Sequence, residues 1–597
     1  MDAVQPEKKN KNTTLTTGNI GDFIDAGWLF EVKGYEEITE KYYLNAIENK
    51  LNTLKNKFEY YSENEQLKYA KFLQTAFDRF ESYAFRNPER SVFIEQCLNN
   101  KIIKKGLLLE NNNRLAEAIQ SETNNDIQKK YTEWQNLKAN LAKEYGLPLA
   151  RRSGDFIAQV EKVEALEGKL FRASVSFKKA HQFTSYKKIV QHLKAGEVAI
   201  EFSSFHFYAE GKEAASDSIL YVAYLIKNEW EIPKMIPLFE EKELPNLKHS
   251  KKLYQYGIDK KSSLFHLIWT KLAPEMQGIQ TIYYSPVGLL NRINFSAIPI
   301  NASKTIADQF QLYAIGSTRQ LVFPHGVSNY EQTDAIIYGG IEYEKDTTTL
   351  LAKEVESFDK QNEILAARSL DEKFRAYRSD DWDYLEWTEK EASDIARILN
   401  STKAKVSLKT GQLASEAFFK TIGKTQPSPR ILHLATHGYF FPSPKKDAKT
   451  GFSASQHPLI RSGLILAGAN HVWKGGEIKP GEEDGILTAY EIAQMDLSNT
   501  ELVVLSACET GLGDIEGNQG VYGLQRAFKT AGVKYVLMSL WSVKDKQTYE
   551  FMTRFYELYQ IEKKSIPEAY QMTQNEMRQQ YAKPFNPRLW AGFILVE

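Results

Sequence analysis

Cysteine is nearly absent: the 597-residue chain carries two, Cys97 and Cys508. That scarcity excludes a disulfide framework and any cysteine-rich zinc module, and it suits a reducing, cytoplasmic setting. Long apolar runs are missing as well. None approaches the ~18 residues a membrane span requires, and the N-terminus is polar rather than signal-like. Nor is there an excess of one charge. Lysine and arginine number 76, aspartate and glutamate 76, so no whole-protein electrostatic footprint for nucleic acid or an acidic membrane is expected. What is present is core-forming material. Hydrophobic residues at 42% and aromatics at 12% exclude wholesale disorder. At roughly 100 to 200 residues per domain, the length allows about three to five domains.

Residues 1–18 have almost no apolar content and read as a flexible arm. Residues 19–168 have a helical texture, with scarce proline and an apolar stripe among Lys, Glu, Asn and Gln. In 126–146, Ile127, Tyr131, Trp134, Leu141 and Tyr145 recur at steps of three, four or seven, which puts them on one helix face. Similar spacing predicts helices over 36–60, 64–84 and 92–120, interrupted at Asn87-Pro88 and Asn111-Asn112-Asn113. No internal repeat of fixed period stands out. The region reads either as a packed bundle or as a docking surface for a regulatory protein partner.

Around residue 195 the period changes. Runs at 197–207, 218–226 and 281–285 are β-rich, and a second set follows at 334–343, 404–409, 430–435, 463–467 and 501–507, with helices between several of them. Strand, helix, strand in repetition predicts a largely parallel sheet covered on both faces. Residues 169–330 read as one α/β unit and 331–597 as another.

Two buried-looking strands end in reactive residues. ILHLATHG puts His437 and Gly438 just past an apolar run, and LVVLSACETG puts Cys508 in the same place on another. The carboxyl ends of parallel strands line one rim, where open α/β sheets bind ligands. Side by side, the two strands would let the His437 imidazole accept the Cys508 proton and leave a thiolate nucleophile. A free thiol with a pKa near ~8.5 is mostly protonated at neutral pH, so a neighbouring base matters. The backbone N–H groups of Gly438 and Cys508 would converge on an oxyanion.

Each residue also has a plain reading, as a small core hydrophobe or a hydrogen-bonded structural imidazole. Cys97 lies in a helical context without a nearby histidine and reads as structural. His433 and His437 stand four apart, half a zinc site on a helix, but the segment is strand-like and no HExxH supports a metal. The loop after Cys508, GLGDIEGNQG, has the outline of a phosphate cradle. Asp514 and Glu516 would repel phosphate, however, and no basic residue follows until Arg526. Asp484, opening DGILTAYEI, and Asp545, following LWSVK, would suit a pocket for a basic side chain. Both also read as helix N-caps.

HLATHG at 433–438, SGLILAG at 462–468, DGILTAYEI at 484–492, VLSACETGLG at 504–513 and AGVKYVLMSLWSVKD at 531–545 together resemble a CHAT domain. This is the caspase-like, tetratricopeptide-associated peptidase family related to separase. IYYSPVGLLNRINFSAIP at 282–299 resembles its entry motif, and KGLLLENNNRLAEAI at 105–119 the helical segment that often precedes it.

The resemblance implies a Rossmann-like caspase sheet, with 331–597 as the active unit, 169–330 as a pseudo-caspase-like unit without the catalytic pair, and an N-terminal all-α region. It places the family's histidine on His437 and its nucleophile on Cys508. In the related separase pattern, the acid that receives a basic residue before the scissile bond falls on Asp545. Recognisable tetratricopeptide repeats are absent or degenerate in 35–168.

The expectation is therefore a cytoplasmic cysteine endopeptidase acting on a protein substrate, with no metal or organic cofactor, controlled through its helical region. Members in bacteria often serve programmed death or antiphage defence, which the resemblance permits. The competing expectation is a catalytically idle caspase-like scaffold for protein–protein interaction.

Overall fold

The computed structural model describes residues 21–58, 61–105, 124–146, 153–173, 184–244, 256, 263–323, 334–344, 381–424, 426–442, 455, 457–474, 476, 479, 482–507, 511, 513–515, 521–581 and 587–597. Cys508 lies outside them.

The N-terminal stretch is all-α, with helices Gly21–Val32, Glu36–Phe58, Glu63–Arg86, Ser91–Lys104, Asn125–Gly146 and Phe156–Ala173. Local chemistry sets their bounds. The Ser62 hydroxyl accepts from the Glu65 N–H while the Glu65 carboxylate accepts from the Ser62 N–H at 2.8 Å, a capping box that starts the third helix. Leu73, Phe77, Phe80 and Ala84 follow at three- and four-residue steps and are all buried. The helix stops at Asn87, because Pro88 cannot continue it. Ile127, Tyr131 and Trp134 share one helix face and meet Leu170 and Phe171 of Phe156–Ala173. The part of the expected 92–120 helix beyond Lys105 lies outside the described residues.

Among the described residues the strands are β1 (Glu197–His206), β2 (Ile219–Lys227), β3 (Lys234–Glu240), β4 (Thr281–Ser285), β5 (Gln311–Ala314), β6 (Asp334–Ile341), β7 (Lys405–Gly411), β8 (Ile431–Ala435), β9 (Gly438–Phe440), β10 (Ser462–Ile465), β11 (Ile486–Thr488), β12 (Leu502–Ser506), β13 (Gly513–Ile515), β14 (Val521–Gly523), β15 (Tyr535–Ser539) and β16 (Phe593–Val596). Eleven form one sheet in the order β3-β2-β1-β4-β5-β16-β15-β12-β8-β6-β7. Its pairings are parallel except β1–β2, β2–β3 and β15–β16. The mixed α/β sheet with an N-terminal helical region matches the expected fold class. Strands from both expected α/β stretches share this sheet, joined where β16 lies between β5 and β15.

Alternation along β1 sends its two faces to two cores. Val198, Ile200 and Phe202 join the main core, whereas Ala199 and Phe205 join Phe80 and Phe93 of the helical region. Charges reinforce that second junction. Lys105, at the end of helix Ser91–Lys104, reaches Glu201 Oε1 and the Ser285 carbonyl, each at 2.7 Å. The other Glu201 oxygen accepts from the Thr318 N–H at 2.8 Å. Among the described residues no helix is long and apolar enough to cross a membrane.

Candidate active site

The site begins with register. Parallel neighbours β8 and β12 pair Leu502 with Ile431 and Ser506 with Ala435, so both strands run out at one rim. Every residue of the two strands is buried, which explains their largely apolar sequences, broken by His433 within β8 and by Ser506 at the end of β12. Thr436 and His437 continue from one, Ala507 from the other. Cys508 follows Ala507 in sequence and lies outside the described residues.

His437 is half-buried at the junction of β8 and β9. Its ring packs against Tyr343, with centroids 5.1 Å apart, and against Trp382, at 5.0 Å. Its Nε2 stands 2.8 Å from the main-chain oxygen of Asp383. A carbonyl can only accept, so Nε2 carries the proton of this bond. In the neutral ring Nδ1 is then the basic nitrogen. The main chain is fixed too, since the His437 carbonyl accepts from the Ile465 N–H at 2.9 Å. The Phe441 N–H likewise donates to the Arg461 carbonyl, so the odd-numbered residues of this antiparallel ladder face β10. The N–H of Gly438 therefore points away from β10.

Helix Asp545–Tyr556 and the ends of β12 and β15 complete a cleft lined by Thr436, His437, Ser506, Ala507, Ser539 and Asp545. Ser539 grips the chain on both sides of residues 508–510. Its hydroxyl donates to the Ala507 carbonyl at 2.5 Å, and its carbonyl accepts from the Gly511 N–H at 2.7 Å. A Cβ on Gly511 would come within 2.9 Å of that carbonyl oxygen, which is why glycine stands there.

Asp545 is the first residue of its helix, after the N-cap position at Lys544, and its exposed carboxylate faces the cleft containing His437. Asp484 is placed differently. It is buried, and its Oδ1 accepts from the Ile486 N–H at 2.9 Å, shaping the turn into β11. The cleft lining does not include it. The capping role in this segment falls four residues later, where the Thr488 hydroxyl accepts from the Glu491 N–H at 3.2 Å.

His433 is fully buried, with Nε2 2.9 Å from Glu391 and Nδ1 3.3 Å from the Tyr556 hydroxyl. These bonds give it a structural role beneath the cleft. Cys97 sits in the helical core, where burial pushes its thiol well above the ordinary value and keeps it un-ionised. In the loop after Cys508, β13 and β14 form an antiparallel pair before the helix Leu524–Thr530. Among the described residues no group of three or more His, Cys, Asp or Glu could hold a metal. No sequence pattern marks Tyr343, Trp382, Ser539 or the Asp383 carbonyl. A main-chain acceptor carries no residue signature, and the rings would read as ordinary core.

The CHAT domain family model matches residues 259–597. No curated protein sequence matches the chain. Among solved structures, the Arg-specific cysteine proteinase gingipain R is 7% identical with a TM-score of 0.32, over 56% of this chain and 67% of that one. The complex of RgpB pro- and mature domains of Porphyromonas gingivalis is 10% identical with a TM-score of 0.31, over 56% and 68%. The separase–securin complex of Saccharomyces cerevisiae is 8% identical with a TM-score of 0.36, over 97% of this chain and 46% of that one. The chain thus spans less than half of that separase chain.

Proposed function

The chain belongs to the CHAT-domain family, and from that premise we propose that it is a cysteine endopeptidase with Cys508 as nucleophile and His437 as base. The observation that carries the reading is the β8–β12 register. Ala435 stands beside Ser506, and His437 and Cys508 each follow two residues later in sequence.

Cys508 gives its thiol proton to His437 Nδ1, and the imidazolium keeps its Nε2–H on the Asp383 carbonyl. The thiolate attacks the peptide carbonyl carbon. The displaced electron pair moves to oxygen, where the N–H groups of Gly438 and Cys508 hold the oxyanion. As the tetrahedral species collapses, the C–N bond breaks and His437 protonates the leaving amine. Water, deprotonated by His437, then cleaves the thioester and releases the acid, regenerating the thiol. These steps use no metal or organic cofactor. Asp545 receives a basic side chain of a protein substrate, supported by its exposed carboxylate on the same cleft. The buried turn role of Asp484 supports leaving it out of that pocket.

Control through the helical region is supported by helix Asn125–Gly146. Its Tyr145 ring lies 5.5 Å from His457 and 5.7 Å from Tyr490, next to the β9–β10–β11 layer that holds the His437 main chain. A regulatory protein partner binding the helices would act on this contact.

The test is a thiol-reactive peptide probe followed by mass spectrometry of cleavage sites, with wild type and Cys508→Ala compared. Labelling at Cys508, and cuts that vanish in the variant, are expected. Cleavage that survives Cys508→Ala sinks the assignment, and wild type that neither labels selectively nor cuts leaves the idle scaffold.

A further inference from the structure

A base is only as well aimed as whatever holds its second nitrogen. For His437 that is the main-chain oxygen of Asp383, in the irregular stretch before helix Glu386–Ser401. An irregular stretch holds no position by itself, so something must fix it. Asn470, in the short helix Ala469–Trp473, lies 1% exposed beside that stretch. Its Oδ1 accepts from the Trp382 N–H at 2.8 Å, and its Nδ2 donates to the Trp382 carbonyl at 3.2 Å. The same Nδ2 donates to Glu344 Oε1 at 2.9 Å, while the Asn470 main-chain N–H donates to the Tyr343 carbonyl at 2.9 Å.

One primary amide thus uses its acceptor and both donors to clamp the residue immediately before Asp383. It ties that residue to the stretch just past β6, where the Tyr343 ring is the other wall around His437. The clamp also fixes the Trp382 ring, which lies between His437 at 5.0 Å and Trp473 at 4.8 Å. Few side chains can do this. Aspartate would offer acceptors to a carbonyl and to a carboxylate, and glutamine would push the amide one methylene too far.

We infer that Asn470 is a positioning residue for the peptidase: it holds the Asp383 carbonyl and the Trp382 ring where they fix the His437 tautomer, with Nδ1 as base. The inference rests on the reading of His437 and Cys508 as the working pair. Asn470 touches neither substrate nor reacting atoms, so its loss affects base strength and aim rather than substrate binding.

The experiment is alkylation of the full chain by iodoacetamide across pH 5 to 9, with Cys508 read by peptide mass spectrometry. Cys97, 2% exposed, stays unlabelled in the folded protein. Wild type should react well below the ~8.5 of an unassisted thiol, and His437→Ala should follow the unassisted curve. Asn470→Ala and Asn470→Asp should shift toward the His437→Ala curve, losing about tenfold in rate at pH 6. A merely structural Asn470 would lower the melting temperature and leave the pH profile in place. If Asn470→Ala does not fold, Asn470→Asp, which keeps the acceptor for the Trp382 N–H, decides. Asn470 variants that keep the wild-type profile while His437→Ala loses it overturn this inference alone. Identical profiles for wild type and His437→Ala remove the dyad, and the clamp with it.

Discussion

The hydroxyl of Ser539 donates to the carbonyl of Ala507 at 2.5 Å, just past the end of β12 and one residue before Cys508. The neighbouring strand therefore holds the chain before residues 508–510, and through the Gly511 N–H it holds the chain after them as well. Removing that hydroxyl takes one donor from the carbonyl of buried Ala507. Ser539→Ala should cost about 1–2 kcal/mol in urea unfolding and slow alkylation of Cys508 at neutral pH. Unchanged reactivity together with unchanged stability would deny the loop this anchor.

Asp545 separates a pocket from a helix end. As an acid in the first turn it would contribute at most about 1 kcal/mol through the helix dipole. As a pocket acid it would govern which peptides are cut. Asp545→Asn should reduce kcat/KM roughly tenfold or more for substrates with Arg or Lys before the scissile bond, and leave neutral substrates nearly unchanged. An equal loss for both kinds of peptide would assign Asp545 to the helix alone.

Lys420 faces three carboxylates, Glu416 at 2.6 Å, Glu483 at 2.7 Å and Glu491 at 2.9 Å. One ammonium cannot neutralise three acids. Burial first, and then Glu491, push the Glu416 carboxyl up to about 7. Between its ordinary value and about 7 the folded protein keeps a proton that the unfolded chain releases, so this group lowers stability as pH rises through that window. Glu416→Gln keeps an oxygen for the Gly485 N–H, now 2.8 Å away, and loses the charge. Its melting temperature should exceed wild type by roughly 2 °C at pH 8 and match it at pH 4. An advantage confined to acid would reverse the sign and refute the account.

Lys105 and Glu201 fasten the helical region to β1. Lys105→Met leaves the Glu201 carboxylate buried with neutral donors only, at a cost of about 3–5 kcal/mol. Limited proteolysis should then release the helical region, and Glu201→Gln in the same chain should recover most of the loss. A single variant as resistant as wild type would show that apolar packing alone makes the junction.

Much of this was legible in the sequence for physical reasons. β8 and β12 are buried on both faces, so they read as mostly apolar runs with a reactive residue after each. Periodicity marked the helices from Glu36 to Arg86. Three kinds of feature were hidden. The Asp383 carbonyl acts through an atom every residue has. Asp484 looked like a helix entry because acid-glycine turns before a strand and before a helix share a composition. The place of β16 in the sheet depends on pairing with β5 and β15, which no local pattern encodes. Cys508, the residue the motif marks most plainly, is outside the described residues, so its partnership with His437 rests on register and on the experiments above.

Phe593, the first residue of β16, is also part of the cleft wall. On the ribosome, the walls carrying His437 and Ser506 emerge while that side is still unmade. A nascent chain therefore carries no finished cleft until the β16 segment has been synthesised and placed between its two partners.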